Sequence, residues 1–176
     1  MEGGVPLQDL PPAIEARLAE LGGRPVNLYR ALAANPEMLS AWIEFAWAVR
    51  QKPAVPRRLR ELMIVRGADI AHCEYELVHH TRMAATNGVS AEDLEALPRW
   101  RESDRFSDRE RAGLALMEAI FEGSVPDAVN AEVGRLFSTS ERIELTMTAG
   151  LYCMVPRVLD ALRVPLETEG ARSPEG

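Results

Sequence analysis

Apolar residues recur at intervals of three and four along almost the whole chain, and nowhere do they alternate with polar ones over the length of a strand. That spacing stacks them on one face of successive helices, so the expected fold class is all-α. Asn35 ahead of Pro36 reads as a helix start, with Met38, Leu39, Trp42, Phe45, Ala46 and Val49 marking one face behind it. This helix should end before Pro53. Leu59, Leu62, Met63 and Arg66 continue the pattern, the segment GADI offers a weak point, and Gly88 after Asn87 is a plausible C-terminal stop. Ser90 with Asp93, Ser107 with Glu110, and Ser138 with Glu141 each set a hydroxyl and an acid three residues apart, the pattern of a capping box.

The chain has 176 residues, 47% of them hydrophobic, enough for one core, and it is expected to form a single domain over 1–176. The core is expected over 36–167, followed by a polar tail at 168–176. A net charge of -7 argues against affinity for nucleic acid or an anionic membrane, both of which demand a basic face. Small molecules or other proteins are the expected partners. No run is apolar enough to span a bilayer, the opening MEGGVPLQDLPP has no signal-like pattern, and the only cysteines are Cys73 and Cys153. These features fit a cytoplasmic protein with reduced thiols. A faint echo between ELMIVRG at 61–67 and ELTMTAG at 144–150 is too short to establish matched hairpins.

Residues 72–80 read HCEYELVHH and hold all three histidines and one of the two cysteines. At about 100° per residue, Cys73, Glu76 and His80 share one stripe, Tyr75, His79 and Arg82 another, and Glu74 points away. One reading is a solvated face held by Glu–His contacts. The other is a reactive pocket, because a thiol beside an acid and an imidazole is a reactive combination. A metal centre is not expected. His72, Glu76 and His80 are spaced by four, which swings the outer two about 80° apart, the HExxH pattern is absent, and Cys73 has no neighbouring cysteine.

The stretch LRELMIVRGADIAHCEYELVHHTRMAATNGVSAEDLEAL at 59–97 resembles the core of the carboxymuconolactone decarboxylase and alkylhydroperoxidase-D superfamily. FSDRERAGLALMEAI and SERIELTMTAGLYCMVPRVLDALRVPLE are similar to the segments that follow that core. The resemblance implies an all-helical, alkylhydroperoxidase-D-like bundle and a homo-oligomer, either a trimer or a dimer or hexamer. It also implies that the alkylhydroperoxidase branch's relay glutamate falls on Glu61, its histidine on His80, and one cysteine of its Cys-x-x-Cys pair on Cys73. The other cysteine position holds Glu76, which removes that branch's intramolecular disulfide. On a continuous helix Glu61 and Cys73 would lie about 18 Å apart, so the resemblance also implies a break near Gly67–His72 that packs two helices side by side.

Two enzymes fit these residues. The first is a carboxymuconolactone decarboxylase-like enzyme doing acid/base chemistry on a small organic acid, lactone or enolisable carbonyl, with His80 as proton shuttle between Glu61 and Glu76. Tyr75 would orient a substrate oxygen, although a tyrosine there also reads as core or interface. The second is a peroxidase using Cys73 alone, with Cys153 as the only internal resolving thiol and a buried structural role as its other reading. A non-catalytic helical oligomer is the third reading. None of them calls for a cofactor. Trp42 and Trp47, about 140° apart around one helix, with Phe45 between them, support a surface shared between copies.

Overall fold

Each hydroxyl–acid pair seen in the sequence starts a helix. In the computed structural model, Ser90 Oγ accepts from the Asp93 amide at 3.2 Å and the Asp93 carboxylate accepts from the Ser90 amide at 3.1 Å. The same reciprocal bonds join Ser107 to Glu110 at 3.3 and 2.8 Å, and Ser138 to Glu141 at 3.4 and 2.8 Å. They satisfy amides that the first helical turn leaves without partners. The structure describes residues 3–51 and 54–167. Every regular element among them is helical, so the fold is all-α. Pro53 and the polar tail at 168–176 lie outside the described residues.

The chain's contacts gather in two compact units. The first holds α1 (Pro12–Glu20), α2 (Asn27–Leu32) and α3 (Pro36–Arg50). Asn35 caps α3 by accepting from the Met38 amide at 3.1 Å, with Pro36 in the first turn. The buried face of α3 differs from the expected one. Leu39, Ile43, Ala46 and Val49 face inward, whereas Met38 is 57% and Phe45 37% exposed. Ile43 completes the stripe from Leu39 to Ala46 and turns Met38 and Phe45 outward. Trp42 and Trp47 are both half-buried, and the Trp47 indole donates to the Leu21 carbonyl at 2.9 Å.

The second unit, 52–156, contains α4 (Arg57–Ile70), α5 (Glu74–Thr86), α6 (Ala91–Ala96), a 3₁₀ turn at Leu97–Glu102, α7 (Asp108–Glu122) and α8 (Asp127–Leu136). It also takes in most of α9 (Thr139–Ala161). Helix α4 is the central element, with Leu59 through Val65, Gly67 and Ala68 buried. It meets α7 through reciprocal close approaches. Gly67 leaves no room for a Cβ against Met117 and Phe121 of α7, and on Gly113 of α7 a Cβ would stand 2.8 Å from Leu59 Cδ1 of α4. Leu62, Val65, Ala84, Leu97, Trp100, Phe106 and Leu114 close the core around this contact.

Charged groups lock the outer helices to the same frame. Buried Glu118 on α7 accepts from Arg66 at 2.8 Å and from the Trp100 indole at 2.9 Å, and pairs with Arg101. Asp93 receives Arg58 at 2.7 Å and Arg105 at 2.8 Å. Burial opposes the charge on Asp93, but these partners and the Ser90 amide outweigh it and hold its carboxyl down to about 2.

The expected break between α4 and α5 falls at Ala71–His72, with Gly67 still inside α4. His72 takes the left-handed conformation at φ 51, the His72 amide donates to the Asp69 carbonyl at 3.0 Å, and the Cys73 amide donates to the Ala68 carbonyl at 2.9 Å. That double bond pattern is a Schellman stop, whose left-handed position is ordinarily glycine. Left-handed backbone strains a histidine by about 1–2 kcal/mol, part of which is offset by the greater freedom of an unfolded glycine. His72→Gly should therefore raise stability by roughly 0.5–1 kcal/mol in urea unfolding, and a loss of stability would contradict this account of the turn.

Candidate acid–base site

The turn at His72 doubles the chain back so that α4 and α5 lie together, and it brings Glu61 to His80. Glu61 is fully buried, and its Oε2 stands 2.8 Å from His80 Nδ1. One turn earlier on α4, Arg57 Nε donates to Glu61 Oε1 at 2.6 Å. Burial acts to raise the Glu61 pKa. The hydrogen bond and charge of His80, followed by those of Arg57, outweigh it and leave the carboxyl below the usual carboxylate range. An ionised carboxylate only accepts hydrogen bonds, so His80 Nδ1 carries the proton in this contact. The other ring nitrogen is then the one available for exchange.

That nitrogen, Nε2, faces Glu76 Oε2 at 3.5 Å, one turn back on α5. Glu76 is buried, and its Oε2 has no hydrogen-bond partner among the described residues. A glutamate at this helix position commonly folds back onto the N-cap amide. Here the Cys73 amide is already bonded to Ala68, so Glu76 is not drawn into that contact. The result is a row of carboxylate, imidazole and carboxylate. Tyr152 of α9 packs edge-on against the His80 ring, with centroids 4.8 Å apart at 85°.

Cys73 is the N-cap of α5 and makes no side-chain cap bond. It is half-buried, belongs to no disulfide, and precedes Glu76 by three residues on the same stripe. Glu61 of α4 thus meets His80 of α5, with Glu76 on the far side of the ring and Cys73 at the head of α5. Tyr75 is buried on the other stripe, its ring 4.8 Å from His79, and Glu74 is exposed. Among the described residues no three His, Cys, Asp or Glu side chains converge in a metal-holding arrangement.

The sequence reading missed Arg57 and Tyr152. The four-residue spacing of Arg57 and Glu61 was a usable signal for the first. No local pattern announces that Tyr152 meets His80. Also outside that reading is a polar seam in which buried Arg60 approaches Glu144 at 3.5 Å, with Thr148 one turn beyond Glu144 on α9. Burial, followed by the charge of Arg57, pushes the Arg60 pKa below its ordinary value.

A sequence model of the Carboxymuconolactone decarboxylase family matches residues 36–119, a span that includes Glu61, Cys73, Glu76 and His80. The uncharacterized protein YnjA of Escherichia coli (strain K12) is 28% identical over 123 residues, 69% of this chain and 68% of its own length. Among solved structures, an uncharacterized peroxidase-related protein with an alkylhydroperoxidase AhpD core, from Ralstonia eutropha JMP134, superposes with a TM-score of 0.77 at 17% identity, covering 97% of this chain and 96% of that one. The debrominase Bmp8 superposes with a TM-score of 0.75 at 18% identity, covering 94% of each chain. A cysteine-to-alanine variant of Bmp8, in complex with 2,3,4-tribromopyrrole, superposes with a TM-score of 0.77. At these identities the superpositions establish the fold.

Because the folded pKa of Glu61 lies below its unfolded value, the charge-dependent stability it contributes is fully present above the ordinary 4.5 and is lost as pH falls through the folded value. Glu61→Gln should cost about 1.5–3 kcal/mol at pH 7, the range for a hydrogen bond to a charged group. Its deficit should narrow in urea titrations carried below pH 4.5. A deficit that is constant from pH 7 to pH 3 would contradict the ionised state assigned to Glu61.

Proposed function

We propose that the chain, whose residues 36–119 match the Carboxymuconolactone decarboxylase family model, is an enzyme doing acid/base chemistry on a small organic acid, lactone or enolisable carbonyl compound. The observation that carries this reading is the buried row itself. Glu61 holds His80 by Nδ1, and Nε2 faces a carboxylate oxygen that no other described group engages. Two acids in unlike surroundings on either side of one imidazole form a recurring arrangement for proton abstraction and return.

In the proposed step the neutral form of His80, with its proton on Nδ1, accepts a substrate C–H proton at Nε2, and the electron pair of that bond moves onto the carbonyl oxygen as an enolate. Glu61 stabilises the resulting imidazolium and fixes the ring. Glu76 holds the substrate, or holds the proton that is returned to carbon. Cys73 stays a neutral thiol at the head of α5, and Tyr75 acts through packing against His79.

One observation favours the second reading, a single-cysteine peroxidase. Cys73 sits at a helix N-terminus, where the aligned amides favour a thiolate. The thiolate would attack a peroxide oxygen, releasing water or an alcohol and leaving a sulfenic acid that an external thiol reduces. The AhpD-related neighbour and the Bmp8 complex formed by a cysteine-to-alanine variant keep this reading in view. Glu61 and Glu76 oppose a second anion beside them, which ranks it below acid/base chemistry. We further read the protein as a cytoplasmic homo-oligomer. Exposed Met38 and Phe45 on α3, and Ile143, Met147 and Met154 on α9, support the assembly. No helix among the described residues is long and apolar enough to cross a membrane.

The two enzymes separate by which residue is needed. In D2O, a panel of lactones and enolisable carbonyl compounds followed by proton NMR should show catalysed α-proton exchange. Glu76→Gln should slow that exchange by about 10²-fold or more, and Cys73→Ser should slow it much less. Cys73 should also react slowly with iodoacetamide at neutral pH. Rapid alkylation, with thiol-dependent peroxide consumption abolished by Cys73→Ser and retained in Glu76→Gln, would put the peroxidase first.

A further inference from the structure

Behind the Glu61–His80 pair the seam between α4 and α9 is polar where a helix contact is ordinarily apolar. Glu144, Thr148 and Tyr152 recur every fourth residue along α9 and span about 12 Å. Tyr152 at one end packs on the His80 ring. Glu144 at the other end has a side chain 14% exposed. One Glu144 oxygen accepts from the Ala54 amide at 2.7 Å and the Val55 amide at 3.2 Å, and the other stands 3.5 Å from Arg60 Nε without a hydrogen bond among the described residues. Thr148, between them, is 1% exposed, and its hydroxyl likewise has no such partner.

Leaving a buried hydroxyl or carboxylate oxygen unsatisfied costs about 1–3 kcal/mol each, and valine would fill the volume of Thr148 without that cost. Buried polar groups of this kind are ordinarily satisfied by ordered water. The polar contacts leading to the seam are those of Arg60 on α4 with Glu144 on α9, of Tyr152 on α9 with the His80 ring on α5, and of His80 with Glu61 and Glu76, with Arg57 also bonded to Glu61.

We propose that this seam is the proton route between the Glu61–His80 pair and solvent, carried by water held at Thr148 and Glu144. Its use in turnover rests on the acid/base reading. A proton gained at His80 Nε2 makes the ring an imidazolium. The ring gives up its Nδ1 proton transiently to Glu61 Oε2, and from there the proton passes along hydroxyl and water oxygens past Tyr152 and Thr148 to Glu144. Reprotonation of Nδ1 by the reverse path, with the Nε2 proton passed back to the substrate carbon directly or by way of Glu76, returns the ring to its starting tautomer, with no change in charge over the cycle. Thr148 and Glu144 are positioning residues in this scheme.

The test reads proton exchange and needs no substrate. In the full-length chain with ¹⁵N-labelled histidine, exchange of the His80 Nδ1 proton with water is measured by magnetisation-transfer NMR. Thr148→Val should slow exchange at least tenfold, Thr148→Ser should stay within twofold of the parent, and Glu144→Gln should slow it as Thr148→Val does. An unchanged rate in Thr148→Val, or equal slowing in Thr148→Ser and Thr148→Val, would overturn the route, the latter by pointing to packing. If Thr148→Val does not fold, an unchanged rate in Glu144→Gln overturns it alone. Failure here leaves the acid/base assignment standing, and failure of the α-proton exchange assay leaves this exchange rate measurable.

Discussion

A carboxylate buried as deeply as Glu61 must be neutralised or paired, because moving an isolated charge out of water costs far more than a domain's net stability. Glu61 is paired twice, by Arg57 on its own helix and by His80 on the next, and the second pairing constrains the fold. His80 reaches Glu61 only because the chain stops at Ala71, reverses through a left-handed His72, and starts again at Cys73. The same reversal makes Cys73 a helix cap and lays Glu76 and His80 along the inner face of α5.

The surroundings hold that geometry still. Helix α4 approaches α7 closely through Gly67 and Gly113, while Glu118 and Asp93 tie Arg66, Arg101, Arg58 and Arg105 into the same unit. A proton-transfer site benefits from such fixed supports, since the imidazole then needs little reorganisation to exchange a proton. The buried oxygens of Glu76, Glu144 and Thr148 stand out because, like Arg60 Nε, they have no hydrogen-bond partner among the described residues, whereas buried polar groups are ordinarily satisfied.

Much of this was legible in the chain. The capping boxes marked helix starts through purely local chemistry, and the spacing of Cys73, Glu76 and His80 put them on one stripe. Glu61 was reachable only through a family resemblance, because nothing in local spacing says that a helix will reverse twelve residues on. The reversal was expected within Gly67–His72 and falls at the end of that range, although glycine usually supplies such a stop. In the fold Gly67 is needed for contact with Met117 and Phe121, and His72 takes the left-handed turn instead. Ile43 was left out of the α3 stripe, which turned the expected face toward Met38 and Phe45. Tyr152 meets His80 across a long stretch of chain, where local periodicity carries no information.

The account depends on Glu61 and His80 acting as a coupled pair across the α4–α5 reversal. A double-mutant cycle with Glu61→Gln, His80→Gln and the double variant, read by urea unfolding at pH 7, measures that coupling directly. A contact at 2.8 Å predicts a coupling energy of about 1 kcal/mol or more. Additive effects within about 0.3–0.5 kcal/mol would contradict it.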